Sequence, residues 1–309
     1  MMELAVVILN WNAAVDTIRC VQALSSWGRI QPTIWVVDNG STDNSPEVIT
    51  RECPSVHLIH SLVNLGFAGG NNRGILAALT QDSRPVLLLN NDAFIDEDDV
   101  ILLLETLHSS PRIGFVGPLL FDADQKDRLL AAGGRNPVLH HHSHTLRLEP
   151  GPPVREVEYV VGTVILVRPQ VFQKVGLLDE AYFFSMEIAD LCLRARQQGY
   201  LSVIDTRARA YHALQRSSHL RETLHTYYIV RNRFLFIHKF CVGMCKLLLQ
   251  SLWALYSLAL WTKLVLSRRT SAARAVWLGL IDGLHGRFGG QNERVMPCAT
   301  NLSQYQQTR

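Results

Sequence analysis

From Leu4 to Ser109, short apolar runs alternate with stretches of helical periodicity. Leu4–Leu9, Thr33–Val37, Val56–His60 and Val86–Leu89 read as strands, because their apolar positions are continuous and β-branched. Between them, Ala13–Ser25, Ser45–Glu52, Asn71–Thr80 and Asp98–Ser109 read as helices. Apolar strands separated by helices predict an α/β fold whose parallel sheet is covered by helices on both faces. Such sheets take ligands at the carboxyl ends of their strands. The polar residues gather at those ends: Asn10-Trp11-Asn12, Asp38-Asn39-Gly40-Ser41 and Asn90-Asn91-Asp92.

The pattern fades from Pro111 to Pro153, where Gly, Pro, His and mixed charge predict loops or a short hairpin. Order returns with a strand at Tyr159–Val167, helices at Pro169–Val175 and Glu187–Gln198, and a further strand ahead of His212. The character then changes. Phe240–Leu266 is mostly apolar, contains Trp253, Tyr256 and Trp261, and is followed by Arg268-Arg269. The division expected is a catalytic-type domain over 1–238 and a basic, apolar helical tail over 239–309.

With 309 residues, 48% of them apolar and 18% charged, the chain can bury a full core, and a disordered or collagen-like class is excluded. The net charge of +3 hides a split. Residues 1–212 carry 17 basic against 24 acidic side chains, whereas residues 213–309 carry 13 against 3. A basic tail on an acidic body predicts an anionic partner. Long apolar runs between the basic residues argue against nucleic acid and for an anionic membrane surface. Six cysteines without a CxxC pair, and an N-terminal apolar run too short for a signal peptide, predict a reduced, cytoplasmic setting.

Four segments carry candidate chemistry. Asp38, at a strand end before an Asn-Gly turn, can accept a hydrogen bond from a pyrimidine N–H; a ligand-free capped turn explains it equally well. The glycine-rich stretch Asn64–Gly74 runs into a helix, where backbone amides favour phosphate, although an ordinary flexible loop has the same composition. Asp92 ends an apolar strand, and one carboxylate with a diphosphate and waters nearly completes the shell of Mg²⁺ or Mn²⁺; a loop-stabilising aspartate is the alternative. Glu187 and Asp190, three positions apart at a helix start, share one face, so one could act as general base or both could complement the helix dipole. The run His140-His141-His142 with His144 lies in the least patterned stretch and reads as a solvated loop.

Taken in order, VVILNWN at 6–12, VVDNGSTDNS at 36–45, NLGFAGGNNRG at 64–74, LLLNNDAFI at 87–95, VGLLDEAYFFSMEIADLCLRARQQGY at 175–200 and YYIVRNR at 227–233 resemble the family 2 inverting glycosyltransferases, in particular their rhamnosyltransferase-like branch. The resemblance covers about residues 4–240, continues weakly to about 290, and implies a GT-A type Rossmann-like mixed sheet with helices on both faces; the C-terminal helical, membrane-associated extension is expected from the composition and charge of the tail. The resemblance also implies nucleotide-sugar contacts at Asn10, Trp11, Asn12, Asp38, Gly66, Asn72 and Asn91. Asp92 and His212 would bind a divalent cation, Mg²⁺ or Mn²⁺. The segment holding Glu187 and Asp190 would carry the catalytic base.

Two positions depart from the family pattern. The DxD-type motif begins with Asn90, leaving Asp92 as its only carboxylate. The usual Glu-Asp-x-Asp becomes Glu187-Ile188-Ala189-Asp190, and an isoleucine takes no proton. Either Glu187, whose longer side chain could reach the acceptor, serves as base, or Asp190 does, or the enzyme is impaired; Glu187 is favoured.

The activity implied is inverting transfer of a sugar, from dTDP-rhamnose or a UDP-sugar, to a glycan or lipid-linked acceptor in cell-envelope polysaccharide synthesis. The setting would be peripheral on the inner face of the cell membrane, with Leu247–Leu266 lying in the interface; a buried helix packing on the catalytic domain is the alternative. Gln250, Ser251, Ser257 and Lys263 within that stretch argue against a span. A catalytically silent sugar-nucleotide-binding protein is the alternative that Ile188 raises. A nucleotidylyltransferase is disfavoured, since Asn10-Trp11-Asn12 stands where its glycine-rich loop would follow the first strand.

Overall fold

Side-chain alternation along the first strand explains how the sheet is covered. In a computed structural model of the chain, which describes residues 2–81, 83–213 and 219–296, the segment Met2–Asn10 forms β1. Its Leu4, Val6 and Ile8 join one buried cluster with Cys20, Val21 and Leu24 of α1 (Ala14–Ser25). The opposite face carries Val7 and Leu9. There α3 (Gly66–Gln81) packs, and its glycines set the approach: a Cβ on Gly74 would stand 2.4 Å from Val7 Cγ1. Helices thus cover both faces, as the apolar strands predict.

The remaining elements follow in order. They are β2 (Ile30–Asp38), α2 (Ser45–Glu52), β3 (His57–His60), β4 (Val86–Asn90), β5 (Ala93–Ile95), α4 (Glu97–Ser109), β6 (Ile113–Asp122), β7 (Leu129–Ala131), β8 (Val154–Val157), β9 (Val164–Val167), α5 (Pro169–Val175), α6 (Glu187–Gln197) and β10 (Leu201–His212). The sheet runs β3-β2-β1-β4-β9-β6-β10-β5, with β7 on β6 and β8 on β10.

The sheet is mixed, as the resemblance implies, and its parallel part is the one the apolar strands of the first 120 residues predict. β3, β2, β1 and β4 are parallel, but β9 lies antiparallel between β4 and β6. A buried antiparallel strand such as VILV, with all four residues buried, has the same continuous apolar pattern as a parallel one. Of the loops or short hairpin expected over 111–153, the hairpin is present as the antiparallel pair β6–β7, but β6 is longer than expected and lies centrally in the sheet. Its Gly114, Gly117 and Pro118 look like breakers. Pro118 sits opposite Asp205, where the register with β10 shifts, the kind of place a strand tolerates proline. The expected strand Tyr159–Val167 shortens to Val164–Val167, with Gly162-Thr163 in a turn.

Contacts divide the chain into two compact units: residues 1–180 with 187–216, and residues 181–186 with 217–309. The boundary drawn from composition at 238/239 falls inside a helix, α7 (His219–Phe240). That helix mixes polar and aromatic residues as the first unit does, so composition hides where it packs. The second unit also contains α8 (Gly243–Leu266), α9 (Thr270–Leu284) and α10 (Asn292–Val295). At its centre the carboxylate of Asp282, fully buried, accepts from Tyr227 Oη at 2.9 Å, Arg294 Nε at 2.9 Å and Arg287 Nη1 at 3.4 Å. Residues 297–309 of the expected tail lie outside the described residues.

Candidate active site

The strand ends of the first unit are joined by a chain of side-chain hydrogen bonds. Asn91 Nδ2 donates to Thr17 Oγ1 at 3.0 Å, Thr17 Oγ1 donates to Asn10 Oδ1 at 2.8 Å, and Asn10 Nδ2 donates to Asp38 Oδ1 at 2.8 Å. Asp38 is fully buried and accepts further from Ser41 Oγ at 2.5 Å and from Ser41 N at 3.2 Å, while His60 Nδ1 lies 3.1 Å from its Oδ2. The Asp38 carboxylate therefore organises the turn after β2. Asn12, at φ 51°, extends this turn: its amide N donates to Ser41 Oγ at 2.9 Å and its Oδ1 accepts from Thr42 N at 2.8 Å. Trp11 is 44% exposed, leaving an aromatic face open beside this network.

His60 has no assigned role in the sequence reading. Its signal is its register, because β3 ends with His60 directly opposite Asp38.

The glycine-rich stretch is helix rather than loop. Gly66 begins α3 at φ 73°, with its N–H donating to Asn64 Oδ1 at 2.8 Å and its carbonyl accepting from Asn39 Nδ2 at 3.0 Å. A Cβ on Gly70 would stand 2.4 Å from Leu9 Cδ1, so this glycine admits the sheet. Asn72 is committed to the segment ahead of α6. Its Nδ2 donates to Leu178 O and Glu180 Oε1, both at 2.9 Å, and its Oδ1 accepts from Leu178 N at 3.0 Å.

Asp92 and His212 come together from β-strand ends far apart in sequence, with His212 Nε2 3.1 Å from Asp92 Oδ1. The antiparallel pairing of β10 with β5 places Ala93 opposite His212 and so fixes the pair. One carboxylate oxygen and one imidazole nitrogen are donors that Mn²⁺ or Mg²⁺ accepts. Their separation matches adjacent ligands of an octahedral ion, about 3 Å apart for bonds near 2.1 Å. No cluster of three or more His, Cys, Asp or Glu occurs among the described residues, so most of the shell falls to a ligand and water.

The two helix carboxylates have different surroundings. Asp190, fully buried, accepts from Arg194 Nε at 2.6 Å, and Arg194 donates to the carbonyls of Val175 at 2.9 Å and Leu177 at 2.7 Å. That pair fastens α6. Glu187 is 5% exposed, and its Oε2 has no hydrogen-bond partner among the described residues. Burial pushes the Glu187 carboxyl up to about 7, with the neighbouring Asp190 charge adding to the rise. A buried carboxyl with an unused oxygen and a pKa near neutrality can take a proton from an incoming hydroxyl. Ile188, 4% exposed, packs where Gly162 leaves room, with Phe67 close by. The adjoining Thr163 carbonyl accepts from Asn90 N at 2.9 Å. The Gly162-Thr163 turn thus links the start of α6, the start of α3 and the Asn90–Asp92 segment.

Residues 5–146 match the family described as Glycosyl transferase family 2. The chain is similar to the N-acetylglucosaminyl-diphospho-decaprenol L-rhamnosyltransferase of Mycobacterium tuberculosis, at 29% identity over 91% of this chain and 99% of the relative. It also resembles a dTDP-rhamnosyl transferase of Shigella flexneri, at 24% identity over 82% of this chain and 87% of the relative. Among solved structures, a mannosyltransferase from Pyrobaculum calidifontis in complex with GDP-Man and Mn²⁺ has a TM-score of 0.57 at 13% identity, over 92% of this chain and 87% of that one. GalNAc-T7 with UDP, GalNAc and Mn²⁺ gives 0.56 at 15% identity, over 69% of this chain and 44% of that one. These likenesses show the GT-A-like fold.

Proposed function

We propose that the chain, whose residues 5–146 match the family described as Glycosyl transferase family 2, is a glycosyltransferase of that family that moves a sugar from a nucleotide-sugar onto a lipid-linked glycan acceptor with inversion, using Glu187 as the base. The observation that carries the reading is the buried, unpartnered Oε2 of Glu187. The rhamnosyltransferase relatives support dTDP-rhamnose as donor and an N-acetylglucosaminyl diphosphate lipid as acceptor.

The reaction follows from these groups. Glu187 Oε2 takes the proton of the acceptor hydroxyl as that oxygen forms its bond to the anomeric carbon. The bond from that carbon to the diphosphate oxygen breaks on the opposite side, its electron pair leaving with the nucleoside diphosphate. Asp92 and His212 would hold a divalent cation, whose chemistry there is to neutralise charge on the departing diphosphate. The Asn10–Asp38–Ser41 network and exposed Trp11 fit a nucleobase pocket, Trp11 offering a stacking face and Asp38 or His60 a hydrogen bond. Against the silent-binding alternative stands the buried Glu187 carboxyl, with its unpartnered Oε2, beside Ile188.

The test is turnover of dTDP-rhamnose with a polyprenyl diphosphate N-acetylglucosamine acceptor, read as release of dTDP. Turnover abolished by Glu187→Gln, with dTDP binding kept, supports the reading; full turnover by that variant overturns it.

A peripheral position on the inner face of the cell membrane belongs to the same proposal. What supports it is α8, long and apolar enough to cross a bilayer and the only such helix among the described residues. It buries Trp253, Ser257 and Leu264 but leaves Leu247, Leu248, Leu252, Leu255 and Leu258 exposed. An exposed apolar stripe on a basic unit suits an interfacial helix.

A further inference from the structure

The backbone entering Glu187 follows a path that side chains disfavour. Phe183, Ser185 and Met186 have φ of 61°, 75° and 74°, three non-glycine residues in the left-handed region within four positions. Such conformations persist only where neighbouring groups impose them, and they concentrate at functional sites.

Two adjacent residues of α7 impose this one. Asn232 is fully buried, and its Nδ2 donates to the carbonyls of Tyr182 at 3.1 Å, Phe184 at 2.8 Å and Ser185 at 2.7 Å. Arg231, equally buried, donates through Nη2 to the carbonyls of Ala181 at 3.0 Å and Tyr182 at 2.8 Å, and through Nη1 to the Gly289 carbonyl. Asn232 Oδ1 in turn accepts from Arg231 Nε at 2.9 Å and Nη2 at 2.7 Å, which orients the amide. The guanidinium lies over the Tyr228 ring, 4.8 Å from its centroid. Four of the six carbonyls from 181 to 186 are thereby held by one pair of side chains. Met186 is joined by its peptide bond to Glu187, the first residue of α6.

We propose that Arg231 and Asn232 are positioning residues for catalysis, fixing the left-handed turn 183–186 so that the backbone leading into Glu187 is held in one conformation. The inference rests on the reading of Glu187 as the base. It goes beyond that reading by assigning function to residues that never meet the substrate. Helix packing alone needs no hold on successive carbonyls of a strained turn. A base does, because misplacing a reacting group by about 1 Å costs on the order of 100-fold in rate.

The test compares wild type, Asn232→Ala, Asn232→Ser and the double variant Asn232→Ala with Met186→Gly. The readouts are kcat from dTDP release, dTDP affinity and melting temperature. Asn232→Ala is expected to lower kcat on the order of 100-fold while dTDP affinity stays within about twofold. Glycine at 186 adopts the required φ freely, so the double variant recovers part of the lost kcat, which a packing role would not produce. Unchanged kcat in folded Asn232→Ala, or kcat and dTDP affinity falling together without rescue, overturns the inference. If neither Asn232 variant folds, wild-type hydrogen exchange decides: amides 184–187 exchanging as slowly as the centre of α6 uphold the clamp, and rapid exchange refutes it. Glu187→Gln run alongside separates the two claims. An inactive Glu187→Gln beside a fully active Asn232→Ala removes only this inference, whereas an active Glu187→Gln removes the base assignment itself.

Discussion

Ile188 fills the space that Gly162 leaves open: a Cβ on the glycine would stand 2.8 Å from Ile188 Cγ1. The position that holds a carboxylate in the family pattern is therefore apolar packing here. Burial of the adjacent Glu187 is what raises its carboxyl, so the loss of one acid and the tuning of its neighbour share a physical setting.

Restoring the family residue is expected to harm the protein. Ile188→Asp places an unpaired carboxylate in a buried site and costs several kcal/mol. Its melting temperature should fall, and Ile188→Asp added to Glu187→Gln should not restore turnover. Recovery of wild-type rates in the double variant would show that position 188 can carry the base.

Glu187 also predicts how stability changes with pH. Its folded pKa of about 7 lies above the unfolded value near 4.3, so the folded state binds the extra proton between them. That contribution is fully present below about pH 4 and is lost as pH rises through 7. Glu187→Gln, which cannot ionise, is expected to gain on the order of 3 kcal/mol relative to wild type between pH 5 and pH 8. Parallel melting-temperature profiles for the two proteins would contradict the buried, unpaired carboxylate.

The Asp92–His212 pair predicts metal-dependent binding. Adding Mn²⁺ to wild type with dTDP or UDP should raise the melting temperature by a few degrees beyond the nucleotide alone. Asp92→Ala and His212→Ala should each remove that increment. An increment retained in both variants would place the ion elsewhere.

For α8, truncation is a poor test, because removing residues from 240 onward strips α9 from α7. Leu248→Gln, Leu252→Gln and Leu255→Gln change only exposed positions. Together they should lower partition onto anionic vesicles on the order of 100-fold, at an unchanged melting temperature. Unchanged partition would refute an interfacial role for this helix.

Much of the first unit was legible because its information is local. Leu4–Leu9 and Val86–Leu89 announce buried strands, and Asp38 and Asp92 mark their ends. Strand direction was not legible, since Val164–Val167 reads the same whether parallel or antiparallel. Glycines misled twice, at Gly66–Gly70, where they open a helix against the sheet, and at Gly114–Gly117, where they admit neighbours to a central strand. The sequence favours Glu187 over Asp190, but the reason Asp190 is occupied, its pairing with Arg194 four residues on along the same helix, is one the spacing permits and does not require. His60 and Asn232 act through contacts with residues 22 and about 50 positions away, which no local pattern encodes.

The most direct test is the pH dependence of kcat for wild type and Glu187→Gln with saturating donor and acceptor. A wild-type rate that rises with pH to a plateau with an apparent pKa near 7, and a Glu187→Gln rate reduced about 10²–10⁴-fold without that inflection, is the predicted result. A Glu187→Gln enzyme that keeps both the rate and the inflection would contradict the assignment.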